Sequence, residues 1–140
     1  MITAERYHDI SCGHRVVGHE GKCRYLHGHN YRIHFVVAAE QLDEVGRVLD
    51  FSVIKEKLCM WLEEYYDHKF LIWDKDPLLE SLQQVSAESL VIVPFNPTAE
   101  NIAQHLVEVV APIQLAGTNC KLITCKIEET QKCSATYHSS

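Results

Sequence analysis

His27 and His29 stand one glycine apart in the stretch GKCRYLHGHNYRIHFVV, residues 21–37. If a strand already begins there, both imidazoles project from one face and can reach one cation, with Gly28 between them leaving room for close approach. His14, near the end of the preceding extended segment, is the third candidate, because antiparallel pairing brings it beside the pair. Three neutral imidazoles with an open fourth position describe a catalytic zinc site better than a structural one, which four protein ligands normally close. Taken alone, a His-x-His pair equally suits a strand that merely carries histidines. His8, His19 and His34 are read in that plainer way, and His105 and His138 have no partner in the sequence.

Cys23 lies four residues before His27, close enough for the field of a bound cation to raise its thiolate fraction. Base, nucleophile, fourth metal ligand and inert buried thiol are all open to it. Asp67 and His68 adjoin in YYDHKFL, where an imidazole beside a carboxylate can shuttle a proton near neutral pH. A histidine cation also suits the end of a helix for structural reasons alone. Glu129 continues a face with Ile123, Cys125 and Ile127, which aims its carboxylate inward. A carboxylate so placed must be paired, protonated or used on a ligand. A heterocycle presenting two adjacent N–H donors would satisfy both oxygens.

These residues need elements to position them. From Tyr31 the run YRIHFVVAA alternates, with Tyr31, Ile33, Phe35 and Val37 on one face and His34 on the other, and reads as a strand. A turn follows near Asp43–Gly46. The segment from about Arg6 to His14 is compatible with an antiparallel partner. Ile54, Leu58, Trp61 and Tyr65 step by four, three and four along one face of a helix capped by Asp50 or Ser52. A second helix begins at NPTAEN, with Asn96 or Thr98 as cap, and runs through Ile102, Leu106 and Val109 to stop before Pro112. Strands are predicted over CKLITCKIEET and around Cys133–Tyr137. The segment from Asp74 to Pro94 reads as an irregular surface excursion, with LVIV at 90–93 as a short extended piece.

The resulting order of strand, strand, helix, helix, strand, strand predicts an α+β domain over residues 1–140, both helices packed on one face of an antiparallel sheet. Its free edges call for cover, which neighbouring subunits would provide. With 13 Lys and Arg against 19 Asp and Glu, the net charge of -6 offers duplex nucleic acid no electrostatic footprint. No window approaches the roughly 18 consecutive apolar residues of a membrane span, and the first residues lack a signal pattern, so a cytoplasmic location is expected. Six cysteines without a Cys-x-x-Cys pair are then thiols rather than a disulfide framework, which leaves any metal mainly to histidine.

The ordered set of His14, Cys-x-x-x-His-Gly-His at 23–29, Asp-Phe at 50–51, Asp-His-x-x-Leu at 67–71, Asn-Pro-Thr-x-Glu at 96–100 and Glu-Thr at 129–130 resembles the family of 6-pyruvoyl and 6-carboxytetrahydropterin synthases. The resemblance implies the tunnelling fold, a four-stranded antiparallel sheet with two helices, assembled as a homo-oligomeric barrel, typically a hexamer of two trimers, with active sites at subunit boundaries. It implies that His14, His27 and His29 bind one zinc per subunit, that Cys23 is the general base, and that Asp67 and His68 relay a proton. Glu129 would anchor the pterin, with Thr98 near the ring and Glu100 a weaker candidate. The substrate implied is 7,8-dihydroneopterin triphosphate.

The three-residue gap between Cys23 and His27 resembles the bacterial 6-carboxy enzymes of queuosine and 7-deazapurine synthesis, which release acetaldehyde and triphosphate. The alternative product within the family keeps the full side chain, as a 6-pyruvoyl tetrahydropterin. Two readings lie outside the family. One is an acyl-transfer triad of Cys23, His68 and Asp67; the other is a closed, non-catalytic zinc module that unfolds without metal. Two departures from the pattern are the short His14–Cys23 connection and the long 74–94 segment. Arg15, Arg24 and Lys69 are the basic residues nearest the motifs and the candidates for the triphosphate.

Overall fold

The computed structural model describes residues 1–140. Two long strands, β1 (Ile2–His14) and β2 (His27–Ala39), pair antiparallel over their whole length, from Ile2 opposite Ala39 to His14 opposite His27. Strand β5 (Cys120–Glu128) adds antiparallel to β2, and β6 (Ser134–His138) adds antiparallel to β5. At the other edge β3 (Phe70–Trp73) runs parallel to β1, and β4 (Leu90–Val93) runs parallel to β3. The sheet thus has six strands in the order β4-β3-β1-β2-β5-β6, mixed rather than purely antiparallel.

This corrects the expected four strands. FLIW at 70–73 has no alternation to betray it, because a short parallel strand covered on both faces is apolar throughout; Leu71 and Ile72 are both fully buried. Its partner LVIV is the extended piece expected at 90–93. Between them the supposedly irregular excursion also carries a short helix, α2 (Leu79–Ser86), with no buried residue.

The two longer helices pack on the sheet face that carries Ile33, Phe35 and Val37, and all contribute to one apolar cluster of 25 buried residues. Helix α1 comprises Phe51–Ile54, a π-helical stretch Lys55–Cys59 and Met60–Tyr65. Asp50 caps it, accepting from the Ser52 N–H at 2.8 Å. Helix α3 comprises Ala99–His105, a π-helical stretch Leu106–Val110 and Ala111–Gln114. Thr98 caps this one, its Oγ1 accepting from the Asn101 N–H at 3.1 Å.

The π-helical turns shift the buried stripe. A π turn holds more residues than an α turn, so positions beyond it rotate relative to an α-helical projection. In and just after α1 the buried side chains are Ile54, Leu58, Cys59, Leu62 and Tyr66, whereas the expected Trp61 is only half-buried against the core and Tyr65 is exposed. In α3 Val107 and Val110 are buried and the expected Val109 faces out. The Ala111 N–H bonds to Leu106 O, five residues back, and the widened turn admits Pro112, which has no N–H, so the helix continues past the expected stop.

A β-bulge similarly corrects the face assigned to Ile123. Val36 pairs with Thr124 but Val37 pairs with Leu122, leaving Ile123 as the extra residue. Leu122, Cys125 and Ile127 therefore point into the core. The helical registers are testable with one matched pair. Val110→Ala is expected to cost about 1–2 kcal/mol in denaturant unfolding, the worth of two buried methyl groups. Val109→Ala is expected to stay within about 0.5 kcal/mol; an unbroken α-helix predicts the reverse order.

Candidate metal centre and active site

The β1–β2 ladder does the first work of assembly. His14 faces His27 directly across the pair, and His29 lies one step along opposite Cys12. All three side chains point to the helix-covered face, with ring centroids 4.6 Å apart for His14–His27, 5.2 Å for His14–His29 and 4.9 Å for His27–His29. One ligating atom from each lies within 4.8 Å of the others.

The backbone fixes which nitrogen is free. His14 Nδ1 donates to Pro97 O at 2.6 Å and His27 Nδ1 donates to Tyr25 O at 2.7 Å. Each Nδ1 therefore carries the proton and each Nε2 keeps its lone pair. The Nε2 atoms of His14, His27 and His29 are all buried without a hydrogen-bond partner. Three orphaned, converging ring nitrogens in a buried site, two of them with the lone pair fixed inward, are costly unless something binds them. A divalent metal that prefers imidazole nitrogen fits that donor set.

Gly28 serves a different need from the expected one. A Cβ there would stand 3.0 Å from Cys12 O, so the glycine makes room for the β1 backbone rather than for a cation. Gly13, its partner across the ladder, makes room for Phe70 of β3, whose ring would lie 2.6 Å from a Cβ.

Glu129 follows β5 and comes inward as expected, onto the trio itself. Its Oε1 lies 3.1 Å from His14 Nε2 and 3.3 Å from His29 Nε2, off the direction of a hydrogen bond. His14 above all, with His29 and His27, holds this carboxyl below its ordinary value against the opposing effect of burial. Burial, with His14 and His27, lowers His29, while Glu129 pulls the other way.

Asp67 and His68 end α1. His68 takes a left-handed backbone, φ 61°, and its Nδ1 lies 2.8 Å from Asp67 Oδ2. The Ser11 N–H donates to Asp67 Oδ1 at 2.9 Å, and the His68 N–H donates to Ser11 O at 2.6 Å, so the pair docks on β1 three residues before His14. Burial raises Asp67, but the Ser11 N–H and His68 outweigh it and the net shift is downward. His68 is 81% exposed and lines a cleft with Asp67, His29, Glu129 and Thr130.

Cys23 is half-buried in a single 3-10 turn, Lys22–Arg24, close enough to Tyr31 to oppose its ionisation. It does not line that cleft and makes no side-chain hydrogen bond, so within one chain no Cys23–His68–Asp67 triad is formed. Thr98 is engaged as a helix cap, and Glu100 is exposed in the first turn of α3. Of the basic candidates, Arg15 is bound to Asp76, Arg24 to Glu20 O and Gly21 O, and Lys69 to Glu88 O.

Two contributors escaped the sequence reading. Pro97 orients His14 through a main-chain carbonyl, which no side-chain motif reveals. Tyr31 is buried beside His14 and His29, with ring centroids 5.9 and 5.4 Å away and its hydroxyl unpaired; its i, i+2, i+4 spacing with His27 and His29 was the available signal.

The model of the family described as 6-pyruvoyl tetrahydropterin synthase matches residues 3–140. The chain belongs to that family. A Rickettsia felis protein named 6-carboxy-5,6,7,8-tetrahydropterin synthase is 34% identical over 134 residues, covering 95% of this chain and 97% of the relative. A Haemophilus influenzae protein of the same name is 30% identical over 76% of this chain and 79% of its own length. Among solved structures, the Caenorhabditis elegans 6-pyruvoyl tetrahydropterin synthase superposes with a TM-score of 0.70 at 26% identity, covering 99% of this chain and 96% of that one. An uncharacterized Wolinella succinogenes protein shares the fold at a TM-score of 0.86 and 24% identity, covering 99% and 98%. No helix of this family member is long and apolar enough to cross a membrane.

The direction of the His29 shift has a measurable consequence in the metal-free protein. The unfolded chain takes up this proton near the ordinary histidine value of about 6.5, and the folded chain only lower. Stability contributed by neutral His29 is complete above that window and declines as pH falls through it. Denaturant midpoints of metal-free protein at pH 7.5 and 5.5 are expected to show a drop that His29→Asn makes smaller; an unchanged drop contradicts the assignment.

Proposed function

We propose that this chain is a zinc-dependent 6-carboxy-5,6,7,8-tetrahydropterin synthase, converting 7,8-dihydroneopterin triphosphate and water to 6-carboxytetrahydropterin, acetaldehyde and triphosphate. The observation that carries the reading is the trio of buried, unpaired Nε2 atoms, two of them preset by main-chain carbonyls, in a chain with near-full-length relatives of that name. Bound to His14, His27 and His29, zinc supplies a Lewis acid that acidifies side-chain hydroxyls and polarises the carbons beside them.

The chain's own residues do the remainder. Cys23, in the turn that precedes β2, is the general base that removes a proton from the substrate's side chain. Asp67 orients the His68 imidazole through the 2.8 Å contact and leaves its other nitrogen free to give or accept a proton at the cleft. Glu129, beside the trio, accepts two adjacent pterin N–H groups in charge-assisted hydrogen bonds. Thr98 and Glu100 stand at the start of α3, next to the Pro97 carbonyl that steadies His14, and are weaker candidates for the ring's surroundings.

Cys23 and His68 share no hydrogen bond within one chain, which supports a homo-oligomer, a hexamer of two trimers, in which sites lie at subunit boundaries. The work is assigned to the cytoplasm and to 7-deazapurine synthesis. The 6-carboxy product is preferred over the 6-pyruvoyl one because the relatives with the higher identity carry the first name.

Incubation of purified protein with the triphosphate, followed by mass identification of products, is expected to yield the one-carbon acid and acetaldehyde. A product keeping the three-carbon side chain moves the assignment to the pyruvoyl branch. Thorough chelation is expected to abolish turnover while secondary structure persists; unfolding on chelation would favour a structural zinc module. Cys23→Ala is expected to retain one zinc per chain and lose about 10²–10⁴-fold in kcat.

A further inference from the structure

Asp76 and His14 are the two buried polar or charged residues of the chain. His14 belongs to the metal centre; Asp76 lies at the start of the long 74–94 excursion, 61 residues from Arg15 in sequence. A carboxylate with its side chain at 0% exposure is costly unless paired and hydrogen-bonded. It is fully engaged. Arg15 Nε donates to Oδ2 at 2.7 Å and Arg15 Nη2 donates to Oδ1 at 2.8 Å, a two-pronged fork, and the Leu78 N–H adds a third bond to Oδ1 at 2.8 Å.

The guanidinium has one more nitrogen, and it is aimed at the turn that holds Cys23. Arg15 Nη1 donates to Arg24 O at 2.9 Å, the carbonyl immediately after the cysteine. The Val16 N–H, from the residue next to Arg15, donates to Cys23 O at 2.8 Å. The turn Lys22–Arg24 buries no side chain of its own. The Arg24 side chain bonds only within that loop, to Glu20 O, Gly21 O and the Tyr25 hydroxyl. The turn that carries the thiol is therefore held mainly by Arg15 and Val16, the residues just beyond β1, and Arg15 is in turn held rigid by Asp76.

We propose that Arg15 and Asp76 are positioning residues for Cys23: the buried carboxylate locks the guanidinium, and the guanidinium's third prong holds the cysteine's turn in place through Arg24 O. The excursion that departs from the family pattern thus reaches the reacting centre through one ion pair, and Arg15 is withdrawn from triphosphate binding. Lysine cannot replace Arg15, since a single ammonium has no fork to span Asp76 and Arg24 O together.

The inference rests on Cys23 acting as the base, and two variants with two kinds of readout separate the claims. Arg15→Lys and Asp76→Asn are compared with the wild-type enzyme for zinc content, kcat, KM and the rate at which iodoacetamide labels Cys23, resolved from the exposed Cys133 by mass spectrometry. The expected result is one zinc per chain, KM within about threefold, kcat lower by about 10–100-fold, as misplacement by an ångström costs, and a several-fold changed labelling rate at Cys23 with Cys133 unchanged. Should Asp76→Asn fail to fold, Arg15→Lys, which keeps the charge beside Asp76, carries the test. Unchanged labelling of Cys23 in a folded variant overturns the positioning role, whatever happens to turnover. Full turnover by Cys23→Ala would instead remove the base assignment, while a changed labelling rate would still uphold the positioning.

Discussion

Two hydrogen bonds to main-chain carbonyls decide what this site can be. By accepting from Nδ1 of His14 and His27, Pro97 O and Tyr25 O compel both rings to present an unprotonated Nε2 to the buried space that His29 shares. Without them the imidazoles would be free to rotate or to change tautomer, and the β1–β2 register would bring together three histidines with no common purpose. The wall of β-strands supplies proximity; the carbonyls supply chemistry.

Each of those carbonyls is itself held. Tyr25 lies two residues before His27, so its contribution is local. Pro97 comes from 83 residues beyond His14, and its approach depends on the segment entering α3. Asn96 fixes that segment by accepting from the Val17 N–H at 3.0 Å and donating to Val17 O at 2.9 Å. Thr98 then opens the helix. A motif that resembles a substrate contact in sequence is in large part the brace of His14, and the same short stretch 14–17 also anchors Asp76 and the turn of Cys23.

The sequence made the local parts of this arrangement legible and concealed the distant ones. Alternation in YRIHFVVAA and the spacing of His27 and His29 are consequences of a two-residue period, and both emerged as read. The π-helical turns of α1 and α3 and the extra residue of the bulge at Ile123 shift the periods, so Tyr65, Val109 and Ile123 leave the faces that spacing assigns them, while Trp61 still packs at the core's edge. Glu129 was read inward through Ile123, Cys125 and Ile127; only the last two lie on its side of the bulge, and they suffice. Strand β3 escaped because full burial erases alternation. The Arg15–Asp76 fork and the Pro97 carbonyl join residues too far apart for any pattern of spacing to couple them.

Three histidine nitrogens that could share one ion, without Cys23 among them, make the proposed centre an open one. X-ray absorption at the zinc edge of the loaded protein in solution examines this directly. The account predicts three nitrogen neighbours with further oxygen at about 2.0–2.1 Å and no sulfur. A sulfur shell near 2.3 Å would make Cys23 a ligand, close the site, and contradict the account.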